Sequence, residues 1–216
     1  GGAPKPPELY FEVQREMGVP VCHGYGMTEV PMISQGSPLD TDEQLAYTDG
    51  APVHGAEVRI VDGEICVRGP MVCKGYTDPA SNAGAFDADG YFHTGDLGHL
   101  TDDGHVVITG RVKDVIIRKG ENISAKEIED VLYEHPKVGA VAVIGLPDRE
   151  RGERVCAVVE TAPGRDPLTF VEMQQQCRDA GLMTQKIPEQ LEVVDALPRN
   201  PTMKILKYVL RDRFEG

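Results

Sequence analysis

The 216-residue sequence has no two cysteines at CxxC spacing and no run in which cysteine and histidine cluster. Its five cysteines, Cys22, Cys66, Cys73, Cys156 and Cys177, are scattered and odd in number. That excludes a zinc-ribbon reading and favours a reducing cytoplasm over a disulfide-stapled secreted fold. Long apolar runs are also lacking. The longest, near Val138 to Leu146, falls well short of the roughly 20 residues that cross a bilayer as a helix. No signal-peptide pattern opens the chain. A cytoplasmic location without an integral membrane segment is therefore expected. Positive charge is scarce, with 22 Lys+Arg against 35 Asp+Glu and a formal net charge of -13. Such a balance argues against nucleic acid or an anionic membrane as partner. It leaves room for a phosphorylated small molecule, which needs only a local basic pocket. Arg111, Lys113, Arg118, Lys119 and Lys126 crowd one short stretch that could supply it, although a solvated charged segment is the blander reading.

What is present describes an ordinary globular chain, 40% hydrophobic and 26% charged, long enough for one or two domains. Pro7 fits the first turn of a helix with Leu9, Tyr10, Val13 and Met17 on one side and Gly18 at its end. Val19–Cys22 reads as a strand leading into a glycine-rich turn. One such αβ unit cannot bury its faces alone, so partner strands upstream are expected. From about Gly36 to Thr109, short β-rich runs (Glu57–Val61, Glu64–Arg68, His105–Thr109) alternate with Gly, Asp and Pro turns, as in a small antiparallel barrel or sandwich.

After Arg111 the pattern changes. Val112–Ile117 is a strand candidate. Ser124 with Glu127 forms a capping box ahead of Ile128, Val131 and Leu132 on one helical face, and His135-Pro136 stops that helix. Val138–Ile144 and Val155–Glu160 read as buried strands, and a helix runs from Asp166-Pro167 to about Gly181. A strand at Leu191–Val194 and a helix at Ile205–Phe214 complete a compact α+β unit of about 105 residues. The expected division is 1–110, split into 1–35 and 36–110, followed by 111–216.

Four segments carry most of the information: Gly24-Tyr25-Gly26-Met27-Thr28-Glu29, Tyr91-Phe92-His93-Thr94-Gly95-Asp96, Thr109-Gly110-Arg111-Val112-Lys113-Asp114 and Pro198-Arg199-Asn200-Pro201-Thr202-Met203-Lys204. Each is weak alone. In this order they resemble the adenylate-forming enzymes: acyl-CoA synthetases, luciferases and peptide-synthetase adenylation domains. The resemblance spans the whole chain and the last two-fifths or so of the family's length. It implies the end of a flavodoxin-like αβ subdomain, a small β-barrel subdomain and an α+β C-terminal lid domain.

The resemblance also implies roles. Tyr25 would stack on adenine, Thr28 contact phosphate and Glu29 bind Mg²⁺, a cation that takes one or two carboxylates beside substrate phosphates. His23, Gly24, Gly26 and Met27 complete that loop, and Gly2, Ala3 and Pro4 would line the adenine pocket with main chain. Asp96 would accept both ribose hydroxyls, and Arg111 would add a fixed guanidinium. Lys113 matches the hinge about which the small domain turns. Lys119, Gly120 and Glu121 match the loop at the pantetheine channel. Lys204 would neutralise the substrate carboxylate and α-phosphate as the adenylate forms. Bland alternatives stand beside each role: a glycine turn with Tyr25 in the core, a turn aspartate, an interdomain salt bridge, a solvated lysine.

Two departures matter. Met203 stands where the family usually has glycine. The family's Ser/Thr/Gly-rich loop, ending in Pro-Lys-Gly and gripping the ATP β- and γ-phosphates, has no counterpart here. The implied activity is that of an acyl-CoA synthetase using ATP, Mg²⁺, CoA and a fatty or aromatic acid, with this chain as a piece that is inactive alone. An adenylation enzyme loading a carrier protein and an inactive nucleotide-binding module are the alternatives.

Overall fold

The structure, a computed structural model, describes residues 7–215; Gly2, Ala3 and Pro4 lie outside them. The chain divides into two compact units between Val112 and Lys113.

In the first unit, helix α1 (Pro7–Met17) ends at Gly18, which adopts φ +66°. The expected apolar side is only partly used: Tyr10 is fully buried, whereas Leu9 and Met17 are exposed. The reason is the neighbour α1 has among the described residues, helix α2 (Asp42–Tyr47). Tyr10 Oη and Gln14 Nε2 both donate to Asp42 Oδ1, at 2.7 and 3.0 Å, so the Tyr10–Gln14 edge faces inward. Residues 19–22 form no strand, contrary to expectation. Extended backbone needs a neighbour to take its amides, and the neighbouring chain reaches back only to His23, whose carbonyl accepts from Gly36 N–H. The strands that form are short: β1 (Gly24–Tyr25), β2 (Ser34–Gln35) and β3 (Ala51–Pro52), antiparallel in that order.

The remainder of this unit is a four-stranded antiparallel sheet in sequence order: β4 (Glu57–Val61), β5 (Glu64–Arg68), β6 (Phe92–Leu100) and β7 (Val106–Arg111). Among the described residues it is open rather than a closed barrel. Alternation sends Ile65, Val67, Phe92 and Val106 to one face, where they bury Tyr25, Val30 and Ile33. The opposite face of β5 carries Glu64 and Cys66.

In the second unit, residues 112–114 form a 3₁₀ turn rather than the start of a strand, and β8 (Val115–Arg118) and β9 (Glu121–Ser124) form a hairpin. Ser124 Oγ caps α3 (Ala125–Tyr133) by accepting from Glu127 N–H, while the Glu127 carboxylate pairs with Lys186 at 2.7 Å. Strands β10 (Val138–Asp148) and β11 (Gly152–Thr161) pair antiparallel along their length. On its other edge β11 takes β12 (Gln190–Val194) in parallel and meets β8 at Gly152. Helix α4 (Phe170–Asp179) starts later than expected because Thr169 and Glu172 form a complete capping box; α5 (Lys207–Phe214) ends the fold. The apolar run at β10 is explained by burial on both faces. Val141 and Val143 point into a core with Ile128 and Leu132 of α3 and Met173 of α4. Ala142, Ile144 and Leu146 point into a second core with Leu197, Ile205 and Leu210.

Candidate active site

Two of the motif residues converge on the carboxylate of a third. Asp96 on β6 is only 4% exposed. Arg111 on β7 is its direct cross-strand partner and brings Nε to 2.8 Å from Oδ1. Tyr25 on β1 donates its hydroxyl to Oδ2, also at 2.8 Å. A carboxylate offers about four acceptor directions, so two remain after these bonds. Burial first, and then the Asp96 charge, pushes the Tyr25 phenol well above its ordinary value, which keeps it a donor. The ring of Tyr25 is 6% exposed, seated in the core between β1 and the four-stranded sheet. Its face is thus mostly committed to packing, and its hydroxyl to Asp96.

Beyond Tyr25 the chain folds tightly on itself. A Cβ on Gly26 would lie 2.3 Å from the Pro31 carbonyl, so only glycine fits. Met27 and Val30 exchange backbone hydrogen bonds in both directions, which displays Thr28 at the surface. Glu29 is half-buried; its Oε1 accepts from the Tyr76 hydroxyl at 2.9 Å and raises that phenol's pKa. One carboxylate beside an exposed hydroxyl is a donor set suited to Mg²⁺ shared with phosphate oxygens. His23 is engaged elsewhere, with Nε2 3.2 Å from Asp49 Oδ1.

Asp96 is not the turn aspartate of the bland alternative: Thr94-Gly95-Asp96 is a bulge inside β6. Glu64 pairs with Leu97 and Cys66 with His93, so Thr94, Gly95 and Asp96 stand opposite Ile65 alone. Gly95 turns the chain at φ +71°. Beneath the bulge, Glu64, Cys66 and His93 bring their donor atoms within 4.8 Å of one another. Sequence spacing gives no sign of this group, because His93 comes from another strand. The donor types would suit zinc, but hydrogen bonds account for their approach. His93 Nδ1 is 2.8 Å from Glu64 Oε2 and 3.5 Å from Cys66 Sγ, and burial pushes the Cys66 thiol up to about 11.

The second unit holds the other motif residues. Lys113 sits exposed in the 3₁₀ turn. Lys119 (φ +50°) and Gly120 (φ +81°) form the two-residue turn of the β8–β9 hairpin, and Glu121 begins β9. Lys119 N–H donates to the Arg151 carbonyl at 2.7 Å. Arg149, Arg151 and Arg154, which sequence reasoning did not single out, line an open cavity of about 510 Å³ there together with Pro147, Asp148 and Glu150. Lys204 lies in a short loop closed by an Arg199–Ile205 bridge. Asn200 Oδ1 accepts from Thr202 N–H, the Thr202 hydroxyl and Lys204 N–H, at 2.8–3.1 Å. Met203 in this loop has φ +67°.

Comparisons with known proteins agree on the family. Residues 1–77 match the family model described as AMP-binding enzyme, and residues 127–204 match the AMP-binding enzyme C-terminal domain. The chain belongs to the AMP-binding, adenylate-forming enzyme family. It is 35% identical over 226 residues to the medium-chain fatty-acid–CoA ligase of Escherichia coli K12, an alignment covering 98% of this chain and 39% of that protein. It is 41% identical over 182 residues to the salicyl-AMP ligase/salicyl-S-ArCP synthetase of Mycobacterium tuberculosis H37Rv, covering 83% of this chain and 31% of that protein. Among solved structures, ATP-bound MatB from Rhodopseudomonas palustris superposes with a TM-score of 0.91 at 33% identity, over 99% of this chain and 44% of that one. The chain thus spans about two-fifths of the length of the proteins it resembles. Among the described residues, no helix is long and apolar enough to cross a membrane.

Proposed function

We propose that this chain is the C-terminal portion of an acyl-CoA synthetase acting in the cytoplasm on a fatty or aromatic acid. In the first step the acid's carboxylate attacks the ATP α-phosphorus, giving an acyl-adenylate and pyrophosphate. In the second, the CoA thiolate attacks the acyl carbon and AMP leaves. Asp96 carries the reading. It is a buried carboxylate oriented by Tyr25 and Arg111, with acceptor capacity left for two ribose hydroxyls. Tyr25 serves chiefly to hold Asp96 and to wall the adenine pocket. Thr28 and Glu29 meet the phosphates, Glu29 as ligand to the Mg²⁺ whose charge offsets theirs. Lys204 faces the α-phosphate and the acid, and Lys113 is the hinge. Lys119, Gly120 and Glu121, beside the arginine-lined cavity, border the CoA channel. The acid pocket and the loop gripping the β- and γ-phosphates belong to a preceding segment, which also covers the apolar Leu9, Phe11, Met17 and Val19, exposed here.

The test has two parts. This chain alone should show little or no carboxylate-dependent pyrophosphate–ATP exchange; robust exchange would refute the partial-enzyme reading. In a complete protein carrying this chain, Lys204→Ala should slow adenylate formation roughly 10²–10³-fold, and Asp96→Asn should weaken AMP binding. Wild-type exchange in the Lys204 variant would remove that residue from the chemistry. A second reading, transfer of the acyl group to a carrier protein, draws on the relative named as a salicyl-S-ArCP synthetase. Offering the adenylate to CoA and to a phosphopantetheinyl carrier separates the two. If neither accepts it, the nucleotide-binding module remains.

A further inference from the structure

A bulge in a sheet leaves backbone amides without ladder partners, and each needs another acceptor. Three residues of β6, Thr94 to Asp96, face only Ile65 across the sheet, so their bonding can be followed atom by atom. The Thr94 hydroxyl donates to the Ile65 carbonyl at 2.7 Å, and Asp96 N–H donates to Thr94 Oγ1 at 3.1 Å. Gly95 N–H donates to Glu64 Oε1 at 2.8 Å. The other oxygen of that carboxylate, Oε2, lies 2.8 Å from His93 Nδ1. Because a carboxylate only accepts, His93 donates from Nδ1. Glu64 therefore grips the bulge from both sides of Thr94, one residue short of Asp96. Both partners are N–H donors, so the grip needs two acceptor oxygens on one side chain.

We infer that Glu64 is a positioning residue: its carboxylate bridges Gly95 N–H and His93 Nδ1 and so aims Asp96 at the ribose hydroxyls. The ribose part rests on the reading of Asp96 given above; the clamp itself rests only on the bonds just described. Substituting methionine, of similar length, removes both acceptors and leaves Gly95 N–H and His93 Nδ1 without this partner. The bulge would then sample other registers, and Asp96 would spend less time beside Tyr25 and Arg111.

The experiment uses the purified chain with AMP and 2′,3′-dideoxy-AMP as calorimetric probes, and NMR exchange of the Gly95 amide. In Glu64→Met, the preference for AMP over the dideoxy analogue should fall about tenfold, the loss of a hydrogen bond to a charged group. Gly95 exchange should quicken by a similar factor while the melting temperature falls only a few degrees. A purely structural role would lower the melting temperature and both affinities together, leaving the preference intact. An unchanged preference in Glu64→Met, with the preference lost in Asp96→Asn, overturns the clamp alone. No AMP preference in the wild type, or none lost in Asp96→Asn, overturns the ribose reading. Gly95 exchange then still judges the clamp, and an unchanged rate overturns it. Should Glu64→Met fail to fold, His93→Leu removes one of the two bonds; a wild-type preference there also counts against the proposal.

Discussion

At the scale of single residues, position 203 shows what one dihedral can decide. Met203 occupies the left-handed region at φ +67°, next to Lys204 and in a loop that Asn200 ties together. A side chain there costs on the order of 1–2 kcal/mol. Glycine would relieve that but lose more chain entropy on folding, about 0.5–1 kcal/mol. Met203→Gly is therefore expected to stabilise the second unit by roughly 0.5–1 kcal/mol, a melting-temperature rise of a few degrees. A lower melting temperature would show that Met203 makes contacts worth more than its strain. The sequence identified this position as a departure; only the backbone established that it is strained.

Elements show the same division between local signals and partners. Strands β4 and β5 begin and end where the sequence places them, because a short β-rich run bounded by turn residues is a local signal. Strand β6 was hidden by its two interior glycines, and α2 by its shortness. The face of α1 could not be read from spacing, since it depends on where Asp42 lies. For α4, the start is set by Thr169 and Glu172, and Glu172 also takes Lys137 Nζ at 2.7 Å. Lys137, then the Thr169 amide and hydroxyl, hold the Glu172 carboxyl near 2, against an ordinary 4.5. A depressed carboxylate pKa stabilises the fold above the unfolded value, and that contribution disappears as pH falls through the folded one. Glu172→Gln should thus melt a few degrees below wild type at pH 7 and converge on it between pH 4.5 and 2. A gap that persists undiminished at low pH would assign the loss to packing.

On the scale of the whole molecule, the division between Val112 and Lys113 gives each unit its own core. The second is the more self-sufficient: its sheet is covered on one face by α3 and α4 and on the other by α5 and the Leu197–Ile205 segment. Residues 113–216 alone should fold cooperatively, with a dispersed amide spectrum and a sigmoidal melt. A spectrum clustered at random-coil shifts would mean that this unit depends on the first.

The sequence by itself determined the motif order, the family resemblance, the extents of β4 and β5 and the buried character of β10. These are local patterns or ordered strings, and they survive without knowledge of neighbours. The tertiary structure alone decided that Tyr25, Asp96 and Arg111 meet on one carboxylate, that residues 19–22 pair with nothing among the described residues, and that Glu64 holds the β6 bulge. Each of these depends on partners from another strand, up to 71 residues away in the chain, or on a strand that must find its neighbour. No spacing within one segment encodes such a meeting, because hydrogen bonds and burial are made in space rather than along the chain.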